Sequence, residues 1–175
     1  IEKSHYASET AKLSLWLAEH QMNLEFKEVF GISKPSLPIS ELGNIVCENS
    51  ITFNWIKFCE LEKKTEEIFI IGNPPFKGYR ARTAQQKDDV AHYLKKKSSK
   101  ADYVSLWFFK GADFISKYKK VKLAFVATNS INQGEQVNLI WPRIFDQNIE
   151  IIFANKSFKW KNSARNNAIV TVSIV

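Results

Sequence analysis

The sequence predicts an α/β fold with an open, mostly parallel sheet, and three observations support this fold class. Short apolar runs alternate with longer segments whose apolar residues recur at helical spacing, as in folds that alternate strands and helices. The run at residues 68–71 is uninterrupted, which is typical of a parallel strand covered on both faces. The 175 residues are 45% hydrophobic, enough for one ordinary core, and contain no internal repeat. We therefore expect a single domain.

The first predicted elements are a long helix and a short strand. From residue 4 to residue 22, apolar side chains recur at helical spacing, and Ser4 is a suitable N-cap for this helix. Pro35 and Pro38 predict a loop. Residues 44–47 are then expected to form a short strand.

The remaining elements alternate between strand and helix. In chain order they are a polar connector with at most a helical turn (55–67), a strand (68–71), a short helix (about 88–94), an aromatic-rich helix (101–118), a strand (122–127), a helix (135–145) and two strands (149–154 and 168–175). Pro142 is expected to break or bend the last helix. The last strand is almost wholly apolar, as a central strand would be.

The composition argues against a membrane span, a metal site and a redox site. The longest apolar runs are far too short to cross a bilayer, and no signal sequence opens the chain. Cys47 and Cys59 have neither metal-binding nor redox spacing, so we interpret them as buried free thiols of a cytoplasmic protein. The three histidines have no metal or catalytic-triad spacing either.

Positive charge is concentrated in the second part of the chain. Residues 1–72 carry 7 Lys+Arg and 11 acidic residues, a net charge of −4, whereas residues 73–175 carry 18 and 7, a net charge of +11; together they give the +7 of the whole chain. Such a basic half is expected if it faces a polyanion, and a solvated surface is the alternative. The candidate nucleic-acid contacts are Lys77, Arg80, Arg82 and, in a basic loop, Lys95, Lys96, Lys97 and Lys100.

The candidate catalytic motif is NPPF, which consists of Asn73, Pro74, Pro75 and Phe76 and directly follows the predicted strand and Gly72. In open α/β sheets, ligands gather at the carboxyl ends of the strands. The side-chain carbonyl of Asn73 and the backbone carbonyl of Pro74 can accept both hydrogens of an exocyclic NH2 group, which aims the nitrogen lone pair at an electrophilic methyl group. The two prolines stiffen the backbone, and Phe76 offers a face for a flipped-out base. A Pro-Pro turn that merely ends a strand is the alternative.

Longer stretches resemble the MmeI-like branch of adenine-N6 DNA methyltransferases from restriction–modification systems. The stretches that carry this resemblance cover most of the chain: YASETAKLSLWLAEHQMN, NPPFKGYR, ADYVSLWFFKGADFI, FVATNSINQGEQVNLIWPRIF and FANKSFKWKNSARNNAIVTVSIV. NPPF alone is moderately specific, because methyltransferases of protein glutamine and of some RNAs share it. The resemblance implies the fold of class I S-adenosylmethionine-dependent methyltransferases, with duplex DNA as the partner.

The resemblance also implies roles for further residues. Glu2 matches the acidic residue that binds the ribose hydroxyls of S-adenosylmethionine, and Asn49 and Ser50 match the positions that recognise its adenine, where the family often has Asp. Phe158 and Trp160 match the aromatic segment that holds the target base, with Phe158 expected to oppose Phe76. Core packing is the alternative for both aromatic residues.

Several parts of the family are missing from these 175 residues. None of the six glycines forms a GxG arrangement, so the glycine-rich cofactor motif and the first strand of the sheet are absent. The chain begins at Ile1, and the N-terminal nuclease and C-terminal target-recognition domain of the family are absent as well. We expect a partial catalytic domain that is inactive in isolation and needs the rest of its parent chain.

Two hypotheses follow from the sequence. In the first, the parent protein methylates adenine N6 in duplex DNA by base flipping and direct transfer from S-adenosylmethionine. In the second, the chain is a nucleic-acid-binding module that performs no chemistry. A methyltransferase of RNA or protein glutamine is a weaker third reading, and the basic half favours nucleic acid over protein.

Overall fold

The computed structural model describes residues 1–32, 45–59, 67–95, 100–118, 120–160 and 170–175. Their contacts divide the chain into two compact units, Ile1–Asn54 and Trp55–Val175. The single catalytic domain expected from the sequence stays a prediction. The loop predicted at Pro35 and Pro38 lies outside the described residues, as do Lys96 and Lys97.

The first unit contains the helix α1, His5–Phe30. Ser4 caps it as predicted, because its side chain accepts a hydrogen bond from the Ala7 N–H. The helix continues past residue 22 because no breaker intervenes before Gly31, whose φ of 70° is the left-handed conformation that commonly ends helices. The short strand predicted at 44–47 is wrong for the described residues 45–47, where Cys47 forms only an isolated parallel bridge with Glu2. The Cys47 thiol is exposed, so the prediction that it is buried is also wrong, and the side chain of Cys59 lies outside the described part of the chain.

The second unit is an open α/β sheet with helices, as the sequence predicts. Its elements in chain order are α2 (Trp55–Cys59), β1 (Ile68–Gly72), α3 (Ala84–Leu94), α4 (Ser105–Ile115), β2 (Val121–Thr128), α5 (Glu135–Phe145), β3 (Asn155–Trp160) and β4 (Val170–Ile174). The strand order is β1-β2-β4-β3. β1 and β2 are parallel, whereas β4 is antiparallel to both of its neighbours. Only residues 161–169 separate β3 from β4, too few for the crossover that a parallel pair needs.

Both β1 and β4 are apolar in sequence, but they differ in burial. β4 is central, with Val172 and Ser173 buried, as its apolar sequence predicts. β1 is instead the edge strand of the described sheet. Phe69 and Ile71 on it are 60% and 79% exposed, so the prediction of a strand covered on both faces is wrong.

The strand predicted at residues 149–154 is also wrong, because these residues form no ladder and β3 starts only at Asn155. β4 takes its second neighbour from 155–160, where the side chains alternate in burial only from Ser157 onward. Residues 149–153 instead line an apolar cavity of about 400 Å³ with parts of β1, β2, α4 and α5, although Ile151, Ile152 and Phe153 remain exposed.

Three helices refine the predictions. α3 starts at Ala84, earlier than expected, because Thr83 and Gln86 form a capping box that the sequence TAQQ contains. α4 starts at Ser105 rather than residue 101, because the preceding residues form turns. α5 runs through Pro142 without ending. Pro142 and Asn138 are both exposed, so water can pair with the Asn138 carbonyl that the missing N–H leaves without its helical partner.

The core of the second unit is the contact between α4 and the sheet. Phe108, Phe109 and Phe114 of α4 are at most 4% exposed, and Phe108 packs edge-to-face on Phe125 of β2. Gly111 allows this close approach, because a Cβ there would lie 2.0 Å from Leu123 Cδ1. The aromatic helix therefore holds β2, and with it the parallel partner β1, in a fixed position.

Gly111→Ala is expected to destabilise the fold by about 1–2 kcal/mol. Overpacking costs about 1–3 kcal/mol, and the better helix propensity of alanine offsets up to about 1 kcal/mol of that cost. Urea unfolding followed by tryptophan fluorescence measures the effect. In a Leu123→Ala background the clash is gone, so the same substitution should become neutral or stabilising. Equal destabilisation in both backgrounds would contradict the packing explanation.

Candidate functional site

The NPPF motif lies at the carboxyl end of β1, where the sequence predicts it. Asn73 follows Gly72 directly and is exposed, whereas Pro74 is buried and Phe76 is half-buried. A Cβ at Gly72 would lie 3.3 Å from the Phe125 ring, so β1 approaches β2 closely just before the motif. The buried proline therefore anchors the motif, and its neighbour Asn73 is presented to solvent.

The Asn73 side chain makes no hydrogen bond within the described part of the chain. Among the described residues, neither its carbonyl oxygen nor its amide nitrogen has a partner that a ligand would have to displace. A structural asparagine that only ends a strand is usually held by a local backbone N–H. The geometry therefore fits a side chain that accepts hydrogen bonds from outside the protein.

The carboxyl ends of β1, β2 and β3 meet at the same edge of the sheet. β3 runs in the direction of β1 and β2, because β4 is antiparallel to both β2 and β3. Thr128, Val172 and Phe158 form one row across three strands. Phe158 therefore lies at the level of the last residue of β2, at the edge where the NPPF motif leaves β1.

Phe158 and Trp160 lie on one face of β3, both half-buried, with ring centroids 6.2 Å apart. Three strand spacings of about 4.8 Å separate β1 from β3, or about 14 Å in total. The rings of Phe76 and Phe158 form no contact with each other in the described structure. Phe76 thus follows β1 at one side of this edge and Phe158 lies on β3 at the other side, with β2 and β4 between the two strands.

A hydrogen bond joins β3 to the end of β2 at this edge. Ser157, the neighbour of Phe158, donates its hydroxyl to Asn129 Oδ1 at 2.5 Å, and Asn129 directly follows β2. The strand pattern KSFKW also exposes Lys156 and Lys159, two cations that flank Phe158 and were not among the predicted contacts.

The segment after the NPPF motif is held by the turn that precedes α4. The Tyr103 N–H donates to the Lys77 carbonyl at 2.8 Å, and the Tyr79 N–H donates to Asp102 Oδ1 at 3.2 Å. Burial and the hydrogen bond to Asp89 raise the pKa of Tyr103 well above its ordinary value, so its hydroxyl stays protonated. These contacts fix the backbone at Lys77 and Tyr79, one and three residues beyond Phe76.

Arg82 does not fit the predicted phosphate contact. It is only 8% exposed, and its guanidinium donates a hydrogen bond to the Ala101 carbonyl. Burial lowers the pKa of Arg82, and the charge of Asp102 opposes that shift. Arg82 therefore lies inside the protein, between the NPPF segment and α4. Its buried guanidinium cannot reach a phosphate of bound DNA.

The other predicted cations on described residues are exposed. Lys77 and Lys95 are open to solvent, and Lys100 forms an exposed ion pair with Glu135 at 3.2 Å. Arg80 donates from Nε to the Tyr79 hydroxyl at 2.8 Å and lies over the Tyr79 ring, with its Cζ 5.3 Å from the centroid. Arg80 is therefore ordered without losing the outward part of its guanidinium fork.

The candidate cofactor residues belong to the first unit. The Glu2 N–H donates to the Val46 carbonyl, the Glu48 N–H donates to the Glu2 carbonyl, and the exposed Glu2 carboxylate makes no hydrogen bond within the described residues. This bridge brings Glu2 beside the segment that leads directly into Asn49 and Ser50.

Asn49 starts a turn, because its Oδ1 accepts the Ile51 N–H at 3.0 Å and its backbone carbonyl accepts from residues 52 and 53. Its side-chain oxygen is thus already used. An exposed carboxylate with no hydrogen-bond partner among the described residues suits the two ribose hydroxyls of a nucleoside, so Glu2 fits the cofactor better than Asn49 does.

The described residues contain neither a metal-binding cluster nor a membrane-spanning helix. No group of three or more His, Cys, Asp or Glu side chains there is arranged to hold a metal ion. No helix among them is long and apolar enough to cross a membrane.

Comparison with known proteins identifies what the chain resembles. Residues 1–175 match the family described as MmeI, DNA-methyltransferase domain. The chain is 46% identical over 178 residues to DNA methyltransferase A of Bacillus subtilis (strain 168), covering all of this chain and 20% of that protein. The structure of the Type IIL restriction–modification enzyme MmeI in complex with DNA matches 91% of this chain and 21% of its own, with 37% identity and a TM-score of 0.81. The chain thus spans about a fifth of the length of these relatives.

Proposed function

Because the chain belongs to the MmeI DNA-methyltransferase family, we propose that its full-length protein methylates N6 of adenine in duplex DNA as part of a restriction–modification system. The observation that carries the proposal is the exposed Asn73 side chain, which makes no hydrogen bond within the described residues and lies beside a buried proline at the carboxyl end of β1. The MmeI structure, which was solved with DNA, supports DNA as the substrate.

Each residue at the edge has one task in this reaction. The Asn73 side-chain carbonyl and the Pro74 backbone carbonyl accept the two hydrogens of the adenine amino group. Pro75 limits the freedom of the backbone, so little ordering remains at the moment of reaction. The amine is thereby held with its nitrogen lone pair aimed at the methyl donor.

Base flipping brings the adenine to the edge. Phe76 stacks on one face of the extruded base, and Phe158 stacks on the other, with Trp160 supporting Phe158 from the same face of β3. The positions of Phe76 after β1 and of Phe158 near the carboxyl end of β3 support this arrangement.

S-adenosylmethionine supplies the electrophilic methyl group. Glu2 would accept hydrogen bonds from its ribose hydroxyls, and Asn49 and Ser50 would lie against its adenine. The exposed carboxylate of Glu2, which has no hydrogen-bond partner among the described residues, supports the first role. Asn49 Oδ1 already accepts the Ile51 N–H, so the proposed contact of Asn49 with the adenine has less support than the contact of Glu2 with the ribose.

Labelled methyl transfer from S-adenosylmethionine to unmethylated DNA, followed by digestion to nucleosides, tests this function. The full-length protein is expected to yield N6-methyladenine. Methylcytosine would overturn the choice of base. No methylated nucleoside from the full-length protein would favour a nucleic-acid-binding module, and RNA and protein glutamine would then be the next substrates to assay.

Residues 1–175 alone are expected to bind S-adenosylmethionine weakly or not at all. They contain no GxG arrangement, and close backbone approach to the methionine part of the cofactor depends on such glycines. Isothermal titration calorimetry of this chain beside the full-length protein measures the difference. Micromolar affinity of residues 1–175 would contradict the prediction, and Glu2→Ala in the full-length protein separates a lost ribose contact from a missing motif.

A further inference from the structure

Asp102 is buried in the turn before α4, and both of its carboxylate oxygens are used. Oδ1 accepts the Tyr79 N–H at 3.2 Å, and Oδ2 accepts the Ser130 hydroxyl at 2.7 Å. Tyr79 belongs to the segment that follows the NPPF motif, and Ser130 belongs to the segment that follows β2. One side chain therefore joins two segments that leave the sheet at the same edge.

Further hydrogen bonds around Asp102 strengthen this connection between the two segments. The Tyr103 N–H donates to the Lys77 carbonyl at 2.8 Å, and the Asp102 N–H donates to Gln136 Oε1 at 2.8 Å. Gln136 in turn donates from Nε2 to the Lys100 carbonyl at 2.9 Å. Residues 100–103 are thus attached to the NPPF side and to α5 at once.

The same set of hydrogen bonds extends to β3, the strand that carries Phe158. Ser130 is within hydrogen-bond distance of Thr128 at 2.9 Å, and Asn129 between them accepts the hydroxyl of Ser157, the neighbour of Phe158. A continuous set of contacts therefore leads from the residues just after Phe76, through Asp102, to the residue just before Phe158. These are the two rings between which the base is proposed to stack.

We propose that Asp102 is a positioning residue for methyl transfer, which holds the NPPF segment in register with the end of β2 and, through it, with Phe158. This inference rests on the proposed function. Asn73 makes no hydrogen bond of its own within the described structure, so its position depends on the backbone on either side of the motif. β1 fixes one side, and Asp102 fixes the other.

The test is single-turnover methylation by the full-length protein at saturating DNA and S-adenosylmethionine, which yields a rate constant and an amplitude. Asp102→Ala is expected to lower the rate constant about a hundredfold, since a misplacement of about 1 Å has an effect of that size. Asp102→Asn is expected to stay within about tenfold of the wild type. Its amide oxygen still accepts the Tyr79 N–H, and its amide nitrogen can donate to Ser130.

Asp113→Ala is the matched control. Asp113 is on α4 itself, near its carboxyl end, whereas Asp102 precedes the helix; like Asp102, it accepts one hydrogen bond on each carboxylate oxygen, here from Tyr93 and Gln147. Its loss is expected to lower the amplitude through reduced stability and to leave the rate constant unchanged. Ser130→Ala removes one hydroxyl of this connection with little effect on folding, and we expect it to lower the rate constant severalfold even if Asp102→Ala does not fold.

Hydrogen exchange supplies a readout that does not depend on activity. The Tyr79 amide is expected to exchange faster in Asp102→Ala than in Asp102→Asn, because only alanine removes its acceptor. A wild-type rate constant in both Asp102→Ala and Ser130→Ala would overturn this inference alone. Absence of methyl transfer by the wild-type full-length protein would overturn the proposed function and this inference together.

Discussion

Asn73→Ala in the full-length protein is expected to reduce methyl transfer by at least about a hundredfold and to leave DNA affinity nearly unchanged. The substitution removes one of the two acceptors that orient the amino group, and loss of a positioned polar contact at a reacting centre has an effect of this size. The side chain is exposed and makes no hydrogen bond within the described residues, so its removal should not weaken the fold. Single-turnover methylation and equilibrium DNA binding measure the two effects separately.

Asn138→Ala is the control for this substitution. Asn138 is an exposed asparagine in α5, and the change removes the same atoms away from the NPPF motif. We expect wild-type rates from it. If Asn73→Ala weakened DNA binding as much as it slowed methylation, Asn73 would be a binding residue and the proposed alignment of the amine would be wrong.

Affinity for duplex DNA is expected to fall about a thousandfold between about 50 and 200 mM salt. The prediction follows from six cations as phosphate contacts, since each neutralised phosphate releases counterions and adds about 0.9 to the slope of log affinity against log salt. These cations are Lys77, Arg80, Lys95, Lys96, Lys97 and Lys100. Arg82 is left out because it is buried.

Single substitutions resolve this salt effect into residues. Lys77→Ala is expected to lower the slope by about 0.9 and to weaken binding to all DNA sequences alike. Lys117→Ala is the control, because Lys117 is equally exposed but follows the carboxyl end of α4. A flat salt response, or an equal loss of slope from both variants, would remove the predicted cations from the DNA surface.

Local sequence patterns were sufficient to predict most of the helices and strands. Ser4 caps α1, the apolar run at 68–71 forms β1, and the almost wholly apolar segment before Val175 forms the central strand β4. These succeed because capping, strand formation and burial depend on residues close together in the chain. The strand predicted at 149–154 failed because a strand also needs a partner, and the partner of β4 is 155–160.

The same distinction between local and long-range information applies to the candidate site. The NPPF motif was recognisable because its chemistry is contained in four consecutive residues. The role of Asp102 was not, since its two partners, Tyr79 and Ser130, are 23 and 28 residues away in the sequence. Arg82 was assigned to the DNA surface because charge alone does not reveal burial.

The sequence by itself determined the α/β fold class, the motif that ends β1 and the basic character of the second half of the chain, because each is written in local composition and spacing. Only the tertiary structure decided that β1 is an edge strand, that β3 and β4 pair antiparallel, and that Phe158 shares an edge with Asn73. These facts depend on which strands become neighbours. That choice follows from the packing of α4 against the sheet and from the length of the connections, which no single segment contains.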